Sequence, residues 1–145
     1  MSQSCLKRMK CPFKMAKKRK RSTIVKELDR VFSQYVRMHG ANLDGFASCV
    51  TCGTVRPWKQ LQCGHFMSRR KYSTRWHEVN CQVQCDACNR WNQGEQYAFA
   101  KWLDDNIGEG TADEMVRLSN TTVKFTDWEL QEMIEHYKEK LKALI

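Results

Sequence analysis

The sequence predicts an α+β fold in which a small cysteine-stapled core of short strands is flanked on both sides by helices. Three observations predict it. Two Cys-x-x-Cys pairs, Cys49/Cys52 and Cys85/Cys88, have 32 residues between them. The stretch from 46 to 66 alternates short apolar runs with the turn formers Gly53 and Pro57. Apolar residues recur at helical spacing before and after that stretch.

At 145 residues the chain suits one domain, which at this size buries roughly two-thirds of its unfolded surface. Residues 1–21 hold nine Lys/Arg and no acid, including the run Lys17, Lys18, Arg19, Lys20 and Arg21. They lack apolar periodicity and read as a flexible basic arm, either a phosphate-contacting tail or a solubilising one. Cys5 and Cys11 in this arm have no partner at metal-site spacing.

A single domain is expected over 22–145. Ser22 is a candidate N-cap for a helix over 22–40, with Ile24, Leu28, Val31, Phe32, Tyr35 and Val36 on its apolar face and Gly40 at its end. The core follows over 46–94. A helical part is expected over 95–145, where Tyr97, Ala100, Trp102 and Leu103 share a face up to Gly108. Thr111 with Glu114, and Thr126 with Glu129, have capping-box spacing for two more helices. The last helix carries Leu130, Ile134, Tyr137, Leu141 and Leu144 on one stripe, either core or the seam of a homodimer.

The net charge of +9 equals the excess in the arm. Residues 49–93 add seven basic residues against two acidic, whereas 94–145 carry six against eleven, so polyanion binding belongs to the first two-thirds of the chain. No apolar run approaches the roughly 20 residues that cross a bilayer, and no apolar segment follows the basic start, so a cytoplasmic protein without a membrane partner is expected.

Eight cysteines in such a compartment point to metal rather than disulfides. Each Cys-x-x-Cys directs two thiolates at one tetrahedral ion, and the pair of knuckles makes Cys49, Cys52, Cys85 and Cys88 a structural Zn²⁺ site. A simple zinc ribbon has roughly 15 to 20 residues between its knuckles. The longer gap here implies an inserted β-hairpin and the start of a helix, with the metal clamping the first knuckle against that helix. Cys63 and Cys81, inside the insertion, are either small buried hydrophobes or exchange partners of the four ligands.

The insertion also carries His65, and Asn80 and Asn89 follow it. A neutral imidazole can take a proton from an attacking water near neutral pH. The amide oxygen of Asn89 suits a hard cation beside a phosphate, and Asn80 can hold the imidazole or brace the hairpin. Between them lie Ser68, Arg69, Arg70, Lys71, Tyr72, Arg75, Trp76 and His77. This mixture of cations and aromatics fits a phosphate-gripping loop, or a solvated loop with Trp76 in the core.

The order Cys49/Cys52, Gly64-His65, Asn80, Cys85/Cys88-Asn89 resembles the HNH superfamily, and most closely the lambdoid phage NinG (Rap) recombination endonucleases, over about residues 24–144. The resemblance implies a zinc-stapled ββα-metal (His-Me finger) core in a bacterial host cytoplasm. It implies cleavage of branched DNA such as Holliday junctions or D-loops with Mg²⁺ or Mn²⁺, alongside phage or host recombination proteins. His65 then matches the general base, Asn80 the central asparagine and Asn89 a ligand of the catalytic cation. Many HNH proteins have a metal-binding Asp directly before the histidine, where this chain has Gly64. Gln62 is the first candidate for the second ligand, ahead of Cys63, because a thiolate suits Mg²⁺ poorly. The alternative class is a non-catalytic zinc-containing nucleic-acid-binding module, which gives His65 no task.

Overall fold

A computed structural model describes residues 17–145; Cys5, Cys11 and the first sixteen residues of the expected arm lie outside them. Helix α1 (Arg21–His39) buries the six apolar residues the periodicity selects. It starts one residue earlier than expected. Lys20 occupies the N-cap position without a side-chain cap, and Ser22 is already helical. Arg21 therefore belongs to the helix, where it pairs with Asp127 at 2.8 Å, and Arg19 pairs with Glu27. Among the described arm residues Lys17, Lys18 and Lys20 are left as exposed cations without an ion pair.

Two hairpins follow. Strands β1 (Phe46–Ser48) and β2 (Val55–Pro57) pair antiparallel, Ala47 opposite Arg56. The turn joining them carries Cys49 and Cys52 and closes at Gly53, whose φ of +79° suits a glycine. After a 3-10 turn (Trp58–Gln60), β3 (Gln62–His65) pairs antiparallel with β4 (Cys81–Gln84), Gly64 facing Gln82 and His65 facing Cys81. A loop with one short helix, α2 (Tyr72–Arg75), joins these strands. The Val50 amide donates to the Val83 carbonyl at 2.9 Å and fastens the first hairpin to β4. The chain leaves β4 through Cys85 into a π-helical turn (Ala87–Trp91).

Three helices complete the fold: α3 (Gln96–Asn106), α4 (Thr111–Ser119) and α5 (Asp127–Ala143). Of the two expected capping boxes, Thr126 and Glu129 form one, at 3.1 and 2.8 Å. Thr111 and Glu114 do not. Gly110 takes the N-cap position of α4, the Thr111 hydroxyl donates to the Gly108 carbonyl, and Asp104 from α3 accepts from the Ala112 amide at 2.9 Å. A carboxylate distant in sequence has replaced the local cap.

The main core sits where α1 crosses the β3–β4 hairpin and packs on α5. From the last helix, Leu130, Ile134 and Tyr137 enter it, and the Tyr137 ring meets Phe32 edge-on at 4.9 Å. Leu141 is half-buried and Leu144 exposed, so the buried part of the expected stripe is spent against α1 within the chain. Phe66 turns the other way and joins Phe99, Leu103, Ala112 and Met115 in a second, smaller core.

Gly64 is required by packing. A Cβ at this position would overlap the Gln84 amide, whose Cδ would lie 2.6 Å away. Gln84 is fully buried, and its Nε2 donates to the Thr51 hydroxyl at 3.2 Å and the Gly94 carbonyl at 2.9 Å. It cannot swing aside without releasing the first knuckle. We expect Gly64→Ala to cost about 2 kcal/mol, as over-packed cores do, and Gly64→Ala/Gln84→Ala to cost less than the sum of the single changes. Urea unfolding of the three variants measures this, and additive losses would disprove the contact.

Candidate functional site

The four knuckle cysteines converge although 32 residues intervene, because the β1–β2 turn lies across the end of β4. Their sulfurs all lie within 4.8 Å of one another, with Cys52 and Cys85 3.6 Å apart. Four thiolates about 2.3 Å from a tetrahedral ion stand roughly 3.8 Å from each other, so this cluster can hold an ion such as Zn²⁺. Burial pushes the Cys49 thiol up, but the Thr51 hydroxyl and the backbone amides of Cys85, Cys52 and Thr51 outweigh it and bring it down to about 6. Burial and the crowding of Cys85, Cys52 and Cys49 raise Cys88 to about 12. Four thiols so close cannot all ionise without a cation, and a cation resolves the conflict. Chelation is therefore expected to expose the four sulfurs to a thiol reagent together and to lower the melting temperature. Stepwise exposure with an unchanged melting temperature would exclude a staple.

A cavity of about 480 Å³ opens beside this cluster, bounded by α1, β3, the loop after it and the π-helical turn. Asp29, Cys63, His65, Arg69, Asn89 and Gln93 are among its walls. A larger cavity of about 820 Å³ lies between α1 and β1; it has Cys49 on its wall but neither His65 nor Asn89.

His65 and Asn89 thus share one space. Their side chains are held by different networks. The His65 Nε2 lies 2.9 Å from the Arg75 carbonyl, which only accepts, so Nε2 carries the proton of the neutral ring and Nδ1 keeps its lone pair. Burial lowers the His65 pKa below its ordinary 6.5; the Arg75 carbonyl and Asp29 oppose that shift, and the cations Arg69 and Arg75 add to it. The imidazole is neutral at pH 7.

Asn89 is oriented from the opposite side. An ionised carboxylate only accepts, so Asp86 takes the Gln62 Nε2 at 2.6 Å and leaves the Gln62 Oε1 facing Asn89. The Asn89 Nδ2 donates to that oxygen at 2.6 Å, and its Oδ1 has no protein donor among the described residues. The expected role of Gln62 as cation ligand therefore meets a competing partner, and the geometry makes it a relay between Asp86 and Asn89. Asp86 lies inside the second knuckle and also accepts from the Trp91 indole at 3.2 Å. The backbone then passes through left-handed Gln93, Gly94 and Glu95. That costs roughly 1 kcal/mol or more for each non-glycine residue, and it delivers the Gly94 carbonyl to Gln84.

Asn80 does not touch the imidazole. It is fully buried, accepts from the Met67 amide at 2.8 Å, and donates to the Met67 and Thr74 carbonyls at 3.2 and 3.1 Å. Of the two roles open to it in the sequence, it has the bracing one, applied to the loop after β3. Within that loop Trp76 packs in the main core and offers no stacking face. Arg69 and Arg75 are both committed to Asp29, at 2.9 and 2.5 Å, while Arg70 and Lys71 are exposed with no ion pair among the described residues.

Asp29, which lines the cavity and braces the segment beside His65, is a residue that sequence reasoning missed. It accepts from the Arg75 Nε and the Trp76 indole at 3.0 and 2.9 Å, and so ties α1 to the segment whose carbonyl holds His65. Burial pushes its carboxyl up, but Arg75, Trp76 and Arg69 hold it below its ordinary range. Because the folded pKa is depressed, the stabilisation is complete above about pH 4 and is lost as pH falls through the folded value. Asp29→Asn is expected to cost about 2 kcal/mol at pH 7 and measurably less at pH 3, where the loss has begun, as urea unfolding would show. An equal cost at both values would mean that charge is not the cause.

The fold and site define a small α+β protein with a four-cysteine metal-type staple beside a histidine–asparagine cavity. The chain belongs to the NinG family: the family model for the bacteriophage lambda NinG protein matches residues 3–145. It is 26% identical over 125 residues to protein ninG of Escherichia phage lambda, covering 86% of this chain and 58% of that protein. The match to protein ninG of Salmonella phage P22 is also 26% over 125 residues, covering 86% and 59%. The chain thus spans under two-thirds of the length of these relatives. No solved structure matches it. Among the described residues no helix is long and apolar enough to cross a membrane.

Proposed function

We propose that the chain is a metal-dependent endonuclease of the HNH class that cleaves branched DNA such as Holliday junctions and D-loops during phage recombination. The observation that carries this reading is the pairing in one cavity of a neutral imidazole with a free Nδ1 and an amide oxygen freed by the Asp86–Gln62 relay. On this reading the β3–β4 hairpin and the helical turn of Asn89 would serve as the ββα-metal unit, with the four-cysteine cluster as its staple.

In this mechanism His65 Nδ1 takes a proton from water as the water oxygen bonds to phosphorus, and the bond to the leaving sugar oxygen breaks. The Arg75 carbonyl steadies the imidazolium through Nε2. Asn89 Oδ1 would hold a divalent cation such as Mg²⁺ or Mn²⁺, which would neutralise charge on the phosphate and the leaving oxygen. With one protein oxygen the remaining positions fall to waters and phosphate, which Mg²⁺ readily accepts. Among the described residues of the arm and of the loop after β3, Arg70 and Lys71, together with Lys17, Lys18 and Lys20, are cations available to DNA phosphates.

His65→Ala should abolish nicking of a four-way junction while leaving its binding within about threefold, and Asn89→Ala should depress cleavage without releasing zinc. Cleavage by the histidine variant at the wild-type rate would remove His65 from the chemistry, and a wild type that binds the junction without cutting it would favour a zinc-containing nucleic-acid-binding module instead. Since the base acts unprotonated and its pKa is lowered, the wild-type rate should be level above neutrality and should fall on acidification at a lower pH than an ordinary imidazole would set. A rate that keeps climbing well above neutrality would assign proton removal to another group.

A further inference from the structure

Among the described residues two thiols remain that neither the staple nor the proposed chemistry uses. Cys81 stands opposite His65 across the β3–β4 pair, and Cys63 precedes His65 by two residues, so all three side chains share one face of the hairpin. Their donor atoms lie within 4.8 Å of one another. Cys81 is 1% exposed, with its sulfur 3.4 Å from the Arg75 carbonyl that also faces His65. Cys63 is half-buried and opens on the cavity beside His65. The group is separate from the staple, because Cys81 and Cys85 are four residues apart along β4, roughly 13 Å of extended chain.

We propose that Cys63, His65 and Cys81 form a second metal site, for a soft divalent cation of the zinc class, and that filling it withdraws His65 from proton transfer. Two thiolates and an imidazole select Zn²⁺ or Cd²⁺ over Mg²⁺. Bonds of about 2.3 Å to sulfur and 2.0 Å to nitrogen place such donors roughly 3.5 to 3.8 Å apart, so each has to move by less than about 1 Å. Binding releases the two thiol protons to solvent and breaks the contact of the imidazole with the Arg75 carbonyl or occupies its free nitrogen. In either case His65 can no longer accept a proton from water. Three protein donors leave a fourth position for a water on the cavity side. The binding half stands on the donor set alone, and the inhibition half rests on the endonuclease reading.

The test uses the full chain, with Zn²⁺ and then Cd²⁺ as the only added probes. Equilibrium dialysis against buffered free metal should load two equivalents per chain. The second equivalent of Cd²⁺ should add thiolate charge-transfer absorbance beyond that of the first. In Cys63→Ser and Cys81→Ser the first equivalent should persist and the second should weaken at least about tenfold, as the loss of a ligand demands. A wild type that stops at one equivalent, or a Cys63→Ser variant that binds the second with unchanged affinity, overturns the site. With a four-way junction and Mg²⁺, wild-type cleavage should fall as the second equivalent loads. The zinc needed to halve each protein's own rate should be at least about tenfold higher for Cys63→Ser. Cleavage that continues with the second equivalent bound overturns the inhibition half. A wild type that cuts no DNA overturns the endonuclease reading, while the stoichiometry still decides the site.

Discussion

The convergence of Cys49 and Cys52 on Cys85 and Cys88, a clamp once an ion is held, is the constraint on which the rest of the structure depends. Strands of three and four residues form two separate two-stranded pairs, and an isolated hairpin is marginal in water. An ion held by the four cysteines would cross-link the turn of one pair to the end of the other and make them a unit. Asp86 is carried between two of the clamped cysteines, so the clamp also sets the Asp86–Gln62–Asn89 chain of hydrogen bonds. The staple and the cavity are therefore parts of one arrangement. Gln84, with its hydrogen bonds to Thr51 and to Gly94, is the second tie between them.

The histidine side of the cavity is built on a different support. Its loop has little regular structure, yet three buried or half-buried groups fix it. Asn80 bridges Met67 and Thr74, Trp76 enters the core, and Asp29 takes both Arg75 and the Trp76 indole. The cost of burying Asn80, Asp29 and the Trp76 indole is offset by pairing each of them, while the Ser73 hydroxyl of the same loop is buried without a partner among the described residues. Positive surface is reduced as a result, since Arg69 and Arg75 are both turned onto the one carboxylate of Asp29, and the loop cations left without an ion pair among the described residues are Arg70 and Lys71.

What could be read in the sequence follows from the range of the interactions. Helix α1 and the Thr126–Glu129 cap were legible because their signals repeat within one or two turns. The knuckles were legible because metal geometry fixes their internal spacing. Thr111 misled because its local signal lost to Asp104, seven residues away in another helix. Asp29 and Asp86 were hidden, and Gln62 was read as a cation ligand and not as a relay, for the same reason. Each is an ordinary polar residue by its neighbours, and its partner lies 24 to 47 residues off along the chain. The pairing of Cys63 with Cys81 needed strand register, which spacing alone does not supply.

Gly64 has a consequence that reaches beyond packing. Any side chain there must first displace Gln84, so the strand cannot drift towards a carboxylate next to His65 without loosening the staple. On the proposed reading the protein then holds its catalytic cation by a single amide oxygen, too little for firm retention in the absence of nucleic acid. The scissile phosphate supplies the missing oxygens, and linkage makes the assistance mutual: the cation tightens DNA by the factor by which DNA tightens the cation. Such a chain would carry no armed centre between encounters. Its activity would assemble only on the strand it is about to cut.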